Sequence, residues 1–329
     1  MLLVDTYYDV VHTNTSLKLE SEIKYPDKAK AMDGDGTQSN PYLIKTASHL
    51  ASIAGTVNRT TDFNATYEDG TKYASVYAGI YFKLDADIDL TNTIINPIGY
   101  DNLHAFAGEF DGNGHTISNA NIDNGNNSFG GLFGNLDLSS VVKNLTVKNA
   151  KLTSYGNYAG VIAAKSQGHI SNCNVINADI NIHGSIAGII AGSAKNITGC
   201  TVSSSSLTVT GGGDAAAIAG QVYGIMSDVS VSDSYINVST GMYSSELYSS
   251  IGGVAGKADG ANISTSSFTG QIVADGPRIM AGGVIGSAVN TTIDRTFAMV
   301  NFNYSNTQPI VFGGVVGKLC GTLTNSHST

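Results

Sequence analysis

A short pattern of small and aliphatic residues recurs along the chain from residue 130 onward. It reads GGLFG at 130–134 and returns, slightly changed, as AGVIAA, AGIIAG, AAIAG, GGVAG, GGVIG and GGVVG. The second small residue of the seven copies recurs at spacings of 29, 28, 29, 36, 30 and 31 residues. A nearly constant period of this size is typical of a solenoid, in which each repeat forms one coil of backbone that stacks on the next.

Between these copies, apolar and polar residues alternate in short segments such as VVKNLTV and AKLTS. Alternation with a period of two predicts strands, and the apolar spacing of three and four that a helix needs is missing. Three short strands per coil, each paired with its counterpart one coil away, predict an all-β fold, a right-handed single-stranded parallel β-helix. We expect roughly ten coils, about 50 Å of stacked rungs, with the aliphatic pair of each copy facing inward.

A single amphipathic helix is predicted near the start of this plan, at 46–58 (TASHLASIAGTVN). Thr46 is a suitable N-cap, and Leu50, Ile53 and Val57, together with Ala54, fall on one helical face. A helix that opens a solenoid can cover the first coil and shield its unpaired strand edges.

The pattern divides the chain into three regions. Residues 1–32 are an N-terminal extension that could form a hairpin, a linker or a donated strand. Residues 33–80 hold the capping strand, the helix and a loop, and residues 81–329 hold the β-helix. The chain stops at GTLTNSHST, in the middle of what should be a further coil, so we expect an uncapped last coil.

Composition narrows the function classes. Only 13% of the residues are charged and the net charge is −9, so the chain lacks the basic surface that a nucleic-acid binder needs. No apolar run is long enough to span a bilayer. Asp5 and Asp9 come too early for a signal peptide. Either the protein is not exported by that route or the chain is the mature segment of a longer precursor, and we favour the second.

The three cysteines do not form an even disulfide framework. Cys173 and Cys200 occupy equivalent places in ISNCNV and ITGCTV, and the alternation places both inward. Rungs about 4.8 Å apart exceed the preferred Cβ separation of a disulfide, so we expect two stacked, buried thiols. A zinc site is disfavoured because no His or further Cys shares the spacing.

Several segments together resemble a known repeat family. They are GDGTQSNPYLI followed by the predicted helix, then YFKLDADIDL, NPIGY, FAGEFDGNGHTI and the repeated GGLFG. This order is similar to that of the GLUG-repeat β-helix family, and the resemblance covers about residues 33–329. Proteins of that family are surface proteins of bacteria and some archaea, including adhesin-like proteins and the non-catalytic part of IgA-cleaving metallopeptidases. The resemblance therefore implies extracellular surface architecture.

Catalytic motifs are scarce in the sequence. Neither His-Glu-x-x-His nor Gly-x-Ser-x-Gly occurs. A β-helical polysaccharide lyase or glycoside hydrolase, the main alternative, would need carboxylates clustered on adjacent coils. The best cluster is Asp85, Asp87 and Asp89, which alternate along one predicted strand. They are weak candidates for a catalytic or calcium role, and a solvated or turn-bonding face is the other interpretation.

Two irregular segments carry tyrosines that could bind a ligand. The longest interval between copies contains the extra segment STGMYSSELYSS, with Tyr243 and Tyr248, and the loop at 59–77 carries Tyr67 and Tyr73. Loops on a rigid scaffold concentrate binding residues, and tyrosine suits contact with sugars or proteins. The alternative is that these rings fold back and cover the wall of the solenoid.

The sequence thus predicts a non-catalytic extracellular scaffold or adhesin, without a cofactor, that displays loops on a rigid rod at a cell surface. Its partner would be a glycan or a protein of a host or neighbouring cell. The uncapped last coil also suggests a homopolymer, in which a second copy or a strand donated from residues 1–25 covers the exposed strand edges.

Overall fold

The chain forms a parallel β-helix of about 8 coils, with one helix at its start. The computed structural model describes residues 32–66, 70–123, 128–240, 248–304 and 310–329. The predicted fold class is confirmed. The coil number is smaller than the expected ten because residues 81–329, at 28 to 36 residues per coil, hold only about 8 coils.

The described strands fall into two sheets of 26 and 7 strands. Before the repeats, the large sheet contains Tyr42–Ile44, Ala65–Thr66, Lys72–Val76, Tyr81–Leu84, Ile88–Asp89, His104–Phe106, Glu109–Asp111, Thr116–Ser118 and Asn121–Asp123. Within the repeats it contains Phe133–Leu136, Val141–Lys143, Thr146–Lys148, Lys151–Ser154, Ala163–Ser171, Asn174–Ile176, Asp179–Ile182, Ala191–Thr198, Thr201–Ser203, Ser206–Thr210, Ala219–Ser227, Ser230–Ser239, Ala255–Asp259, Asn262–Asp275, Ile285–Tyr304, Val316–Thr324 and His327–Ser328. The small sheet contains Phe129–Gly130, Tyr158–Ala159, Ile186–Gly188, Asp214–Ala216, Ser249–Gly252, Ile279–Gly282 and Ile310–Gly313.

Equivalent residues of successive coils pair in parallel, and this register builds the core. Val147 pairs with Ile117 on one side and with Val175 on the other, and the same row continues through Val202 and Val231. All five side chains are buried. The interior is therefore a set of apolar rows that run along the axis, and a lone coil would have nothing to bury these side chains against.

The GGLFG copies are turns that lead from the small sheet into the first strand of the next coil. The pairs of the first six copies are buried, as predicted, with Leu132 and Phe133 as an example, whereas Val315 and Val316 of the last copy are only partly buried. The turns are tight: a Cβ at Gly253 would collide with the ring of Phe268 and the carbonyl oxygen of Gly283. The short strand before each turn, in the small sheet, is additional to the three strands predicted per coil, and the repeat pattern does not distinguish it from the turn itself.

The helix, α1, runs from Ala47 to Arg59 and confirms the predicted cap. The Thr46 side chain accepts a hydrogen bond from the backbone N–H of His49 at 3.3 Å, which satisfies one of the free donors at the helix start. Leu50, Ile53, Ala54 and Val57 are buried, which is the predicted face. They join the same apolar core as the first coils.

The predicted loop at 59–77 is partly a hairpin. Ala65–Thr66 pairs antiparallel with the start of Lys72–Val76, and the latter strand then joins the large sheet beside His104–Phe106. Tyr73 and Tyr77 are buried. The segment YASVY alternates like a strand: Ala74 and Val76 join the apolar core, as does Tyr77, whereas Tyr73 is buried on the other side of the strand.

Asparagine side chains stack along two corners of the coils. Asn119, Asn149 and Asn177 all have positive φ, which Asn tolerates better than most residues. The Nδ2 of Asn177 donates to Oδ1 of Asn149 at 2.8 Å, and Nδ2 of Asn149 donates to Oδ1 of Asn119 at 3.1 Å. The row ends where Asn119 donates to Oδ1 of Asp89 at 2.8 Å. A second row joins Asn172, Asn144 and Asp111 in the same way.

The coil formed by residues 310–329 presents its inward positions to solvent. Leu319 and Leu323 pair with the buried Ala288 and Ile293 of the coil before, yet they are 42% and 37% exposed. Phe312, which pairs with the buried Ala281, is 43% exposed. This end face is therefore apolar.

Candidate functional site

The four tyrosines that the sequence suggested as binding residues differ in how exposed they are in the structure. Tyr67 and Tyr243 lie outside the described residues. Tyr73 is buried, and its hydroxyl donates to Oδ1 of Asp137 at 2.8 Å, so it covers the wall of the solenoid instead of facing a ligand. Tyr248 is 49% exposed at the corner that leads into the strand Ser249–Gly252. Of Tyr73 and Tyr248, the two that the structure describes, only Tyr248 is exposed to solvent.

The aspartates at 85, 87 and 89 are exposed, but they do not share the one strand that was predicted: Asp85 and Asp87 lie between Tyr81–Leu84 and Ile88–Asp89, and each aspartate has its own partners. Asp85 lies 3.6 Å from Nζ of Lys45. Oδ1 of Asp87 accepts from the backbone N–H of Thr116 at 2.9 Å, and that hydrogen bond, with a contact to His115, lowers the pKa of Asp87. Within the described residues, no group of three His, Cys, Asp or Glu side chains could hold a metal ion. The three carboxylates therefore bond turns and neighbouring coils.

Asp89 belongs to the asparagine row, and its carboxylate also accepts hydrogen bonds from neighbouring groups. It accepts from Asn119 and also from the hydroxyl of Thr91 at 2.7 Å and the backbone N–H of Thr91 at 2.9 Å. The hydrogen bond from Asn119 and those from Thr91 lower the pKa of Asp89. The carboxylate is held ionised as an acceptor, a state suited to a structural role and not to proton donation.

An Asp–His pair lies near the hairpin. Nδ1 of His104 is 2.7 Å from Oδ1 of Asp101, and the His104 ring stacks on Tyr100 with centroids 5.7 Å apart. The ring of Phe63 approaches from another direction at 6.2 Å. Burial, the largest single influence, opposes ionisation of Asp101, but the contact with His104 and the hydrogen bond from the backbone N–H of Leu103 together outweigh it and lower the pKa of Asp101. The pair is enclosed by aromatic rings and ties the turn at 101–104 together.

Asp214 is a carboxylate whose pKa is raised instead of lowered. It lies at the turn between the strands Asp214–Ala216 and Ala219–Ser227. The Nε2 of Gln221 donates to Oδ2 of Asp214 at 2.6 Å, across the turn. Burial raises the pKa of Asp214 above its ordinary value, and the hydrogen bonds from Gln221 and Ser250 only partly offset this effect. These partners are an amide and a serine, and not the second carboxyl group with which a glycosidase pairs its first.

We expect Asp214→Asn to stabilise the fold at neutral pH. A carboxyl whose pKa is raised in the folded state favours folding below its unfolded pKa, about 3.9, and loses that contribution as the pH rises through its folded pKa. The unfolding free energy of the variant should therefore exceed that of the parent at pH 7, and the gap should close below about pH 4. Urea unfolding at several pH values measures it. The same substitution at the exposed Asp179 is the control, and an equal gain there would contradict the prediction.

The corner between the last large-sheet strand of a coil and the small-sheet strand that follows it carries an aromatic stack. Tyr155 and His183 directly follow the strands Lys151–Ser154 and Asp179–Ile182, which pair in register. Their rings lie 4.5 Å apart and within 12° of parallel. Nδ1 of His183 is 2.7 Å from the hydroxyl oxygen of Thr210, the equivalent residue one coil further on. Tyr155 is 54% exposed. We call this corner, from Tyr155 through His183 and Thr210 to Tyr248, the aromatic edge.

Glycines make this stack possible. A Cβ at Gly184 would collide with the carbonyl oxygen of Gly156, so the corners of these two coils can stack closely only with glycine there. The stack was not predicted from the sequence. Only irregular segments longer than the usual repeat were searched for binding residues, and Tyr155 and His183 lie in repeats of ordinary length. The signal that could have found it is the recurrence of an aromatic residue followed by glycine, Tyr155-Gly156 and His183-Gly184, at the repeat period.

The stacked thiols are as predicted. Cys173 and Cys200 are buried and free, and the backbone N–H of Cys173 lies 3.4 Å from Sγ of Cys200. The hydrogen bond with Cys200 and burial raise the pKa of the Cys173 thiol well above its usual value. The third cysteine, Cys320, is exposed.

We therefore expect a thiol reagent to label one cysteine of the native chain and three after denaturation. Reactivity requires an accessible thiolate, which Cys320 can supply and the two buried thiols cannot. A colorimetric thiol count with and without urea measures it. The variant Cys320→Ser should reduce the native count to zero, and a remaining fast-reacting thiol would contradict the buried pair.

Comparisons with known proteins support the fold. No family model matches the chain. A solved structure of a candidate immunoglobulin A1 protease from Bacteroides ovatus aligns with a TM-score of 0.61 at 20% identity, over 86% of each chain. At this identity the likeness concerns the fold alone. Within the described residues, no helix is long and apolar enough to cross a membrane.

Two relatives are similar over part of the sequence. Halomucin of Haloquadratum walsbyi is 36% identical over 150 residues, which is 42% of this chain and 1% of halomucin. A provisionally named Gly-rich membrane protein of Evansella cellulosilytica is 30% identical over 154 residues, 44% of this chain and 16% of that protein. The chain thus spans a small part of the length of either relative.

Proposed function

We propose that the protein is a non-catalytic extracellular scaffold that displays binding residues along a stiff β-helical rod. The aromatic edge carries this proposal. It places exposed rings, Tyr155 and Tyr248, on corners of coils whose backbones are fixed by parallel pairing on both sides. Residues that stand on a rigid frame and are exposed without a packing role in the core are suited to binding a partner.

The arrangement of the carboxylates supports the non-catalytic part of the proposal. Asp87 and Asp89 hold turns and neighbouring coils together, and Asp214 lies alone at a different corner. Acid–base chemistry on a polysaccharide would use carboxylates placed around one bond. The names of the two relatives, a halomucin and a Gly-rich membrane protein, support a place at the cell surface.

An attachment assay tests the scaffold function. Beads coated with the purified chain should adhere to cell or glycan surfaces more strongly than beads coated with albumin, and Tyr248→Ala should weaken attachment. Phe63→Ala, which removes an exposed ring far from the aromatic edge in sequence, is the matched control. Attachment no stronger than that of albumin beads to every surface tried would contradict the proposal.

The enzyme alternative is tested with the same preparation. Incubation with acidic polysaccharides and with immunoglobulin A1 should leave both substrates intact, as read by reducing-end assays and gel electrophoresis. Turnover that Asp87→Ala or Asp89→Ala abolishes would overturn the non-catalytic assignment.

End-to-end association is a second candidate, favoured by the apolar end face of the coil at 310–329. Leu319 and Leu323 are exposed where other coils bury the equivalent side chains, so a second copy could bury them. Light scattering of the purified chain should then show mass growing with concentration. Leu319→Ser combined with Leu323→Ser should abolish the growth, whereas Ile94→Ser, at another exposed aliphatic residue, should not. A monomer at every concentration would exclude this candidate.

A further inference from the structure

All the lysines of the later coils lie on one face of the rod. Beyond Lys151 the chain has four lysines, each in the strand that follows a GGLFG-type turn: Lys165, Lys195, Lys257 and Lys318. Three of them share one outward row, whose successive members are Lys165, Ser193, Gln221, Lys257, Ser287 and Lys318. Lys195 lies two residues after Ser193 and so faces the same side. We call the surface that carries these four lysines the lysine face.

Lys165 and Lys195 lie in the positively charged part of the lysine face. Their strands, Ala163–Ser171 and Ala191–Thr198, and the small-sheet strands that precede them contain no Asp or Glu. The coil before contributes Asp137, which is buried and accepts a hydrogen bond from the hairpin. This part of the face is therefore positive although the whole chain carries a net charge of −9, and it attracts anionic groups at short range.

Tyr223 lies among these lysines with its ring along the wall of the rod. Its neighbour Val222 is in register with Ser166 two coils earlier. The Tyr223 hydroxyl nevertheless donates to the carbonyl oxygen of Ser166 at 3.1 Å. The side chain therefore extends back over the intervening coil, which is the coil of Lys195, and Tyr223 is 38% exposed.

The ring is held in place and leaves room for a lysine beside it. Burial of the hydroxyl end, together with the nearby Tyr158, raises the pKa of Tyr223 to about 12, so the hydroxyl keeps its proton and its bond to Ser166. A Cβ at Gly224 would come within 2.4 Å of the carbonyl oxygen and 3.0 Å of Cγ of Lys195, so glycine there makes space for the lysine side chain. A rigid exposed ring binds at a low cost in conformational entropy.

The carboxylates of the later coils lie away from the direction in which the ring points. Asp259 stands at the same position as Tyr223 on the next coil, whereas the ring extends toward the previous coil. Burial raises the pKa of Asp214, and the charge of the nearby Lys257 offsets part of that rise. The Tyr223 ring therefore points to the part of the lysine face where the lysines have no acidic neighbour on their own strands.

This combination fits an acidic sugar chain. A sugar ring has an apolar face of C–H groups that can pack on an aromatic ring, and a uronic acid adds a carboxylate, which pairs with the point charge of a lysine. Lys165 and Lys257 are three rungs apart, about 14 Å, with the Tyr223 ring beside the rungs between them. An extended oligosaccharide that lies along the axis contacts the ring and several lysines at once, which a single sugar cannot.

We infer that Tyr223 and three lysines of the lysine face, Lys165, Lys195 and Lys257, form a binding site for an extended acidic oligosaccharide of uronic acids. Tyr223 stacks on a sugar ring, and the lysines pair with the carboxylates of neighbouring sugars. The site lies on different strands from the aromatic edge, so it goes beyond the proposed function and adds a second binding surface to the rod.

Titration calorimetry with hexaguluronate tests the site, with mannohexaose as the neutral probe and hexaglutamate as the acidic peptide probe. Hexaguluronate should bind more tightly than either other probe, and its affinity should fall as salt is added, because salt screens the lysines. Tyr223→Ala should weaken the affinity about tenfold or more, as loss of a central aromatic anchor does. Tyr223→Phe keeps the ring and should retain most of the affinity, and Lys195→Gln should weaken it several-fold.

Controls separate this inference from the proposed function. Lys148→Gln makes the same charge change at an exposed lysine on another strand, Thr146–Lys148, and should leave the affinity unchanged. Unchanged circular dichroism of each variant confirms that the coils remain folded. Absence of hexaguluronate binding, equal binding by the parent and Tyr223→Ala, equal losses for Lys195→Gln and Lys148→Gln, or equally tight binding of mannohexaose or hexaglutamate would each overturn the inference. If the coated beads still adhere in those cases, the scaffold function stands with a different partner; if they also fail to adhere, both proposals fall.

Discussion

Replacing Phe133 with alanine is expected to lower the free energy of unfolding by about 3–5 kcal/mol. Phe133 is buried in a GGLFG turn, and its ring lies 5.2 Å from that of Phe106 and 5.3 Å from that of Phe110, the latter edge to face. Truncation removes these contacts and leaves a cavity in a narrow core that cannot collapse without breaking the register of the coils. Urea unfolding followed by circular dichroism measures the loss.

Leu138→Ala is the matched control for this substitution. Leu138 lies in the same coil but is 62% exposed, so its loss should change the unfolding free energy by less than about 0.5 kcal/mol. Equal losses for the two variants would contradict the assignment of Phe133 to the core.

Adding one methyl group at Gly253 is the second change with a large expected effect. Gly253→Ala should cost about 1–3 kcal/mol, because the new Cβ meets the Phe268 ring and the Gly283 carbonyl oxygen, and one of them must move. The measurement is again urea unfolding, with the thermal midpoint as a second readout.

The chain provides a control at the same place in another coil. Ala217 corresponds to Gly253, since Ala216 pairs with Gly252, and the alanine there is buried without difficulty. Ala217→Gly should cost no more than about 1 kcal/mol, the usual penalty for added backbone freedom. A smaller loss at Gly253 than at Ala217 would show that the Phe268 contact does not restrict the turn.

Periodicity explains why much of the fold was predictable. The repeat spacing sets which residues pair, so the spacing alone places Val147 and Val175 on adjacent rungs. Cys173 and Cys200 follow from the same register. Helix α1 was equally clear, because the N-cap Thr46 and the buried positions Leu50 and Ile53 are local signals that need no tertiary context.

Features that depend on packing between distant segments were not predictable. The small sheet uses strands such as Tyr158–Ala159, which are too short to show alternation and resemble a turn. Tyr73 looked like a displayed ring because its acceptor, Asp137, lies 64 residues away. The stack of Tyr155 on His183 depends on the close approach of two glycine corners, and the recurring aromatic–glycine pair in the sequence does not show by itself that those corners touch.

The asparagine rows have a consequence for how the protein is made. Each amide donates toward the coil that precedes it, and the last acceptors, Asp89 and Asp111, belong to the earliest coils. A chain that emerges from the ribosome with its N-terminus first therefore finds an acceptor already in place for each coil that these two rows join. Along these rows synthesis and coil stacking run in the same direction, so each asparagine can bond as soon as its own coil is complete, without waiting for a later one.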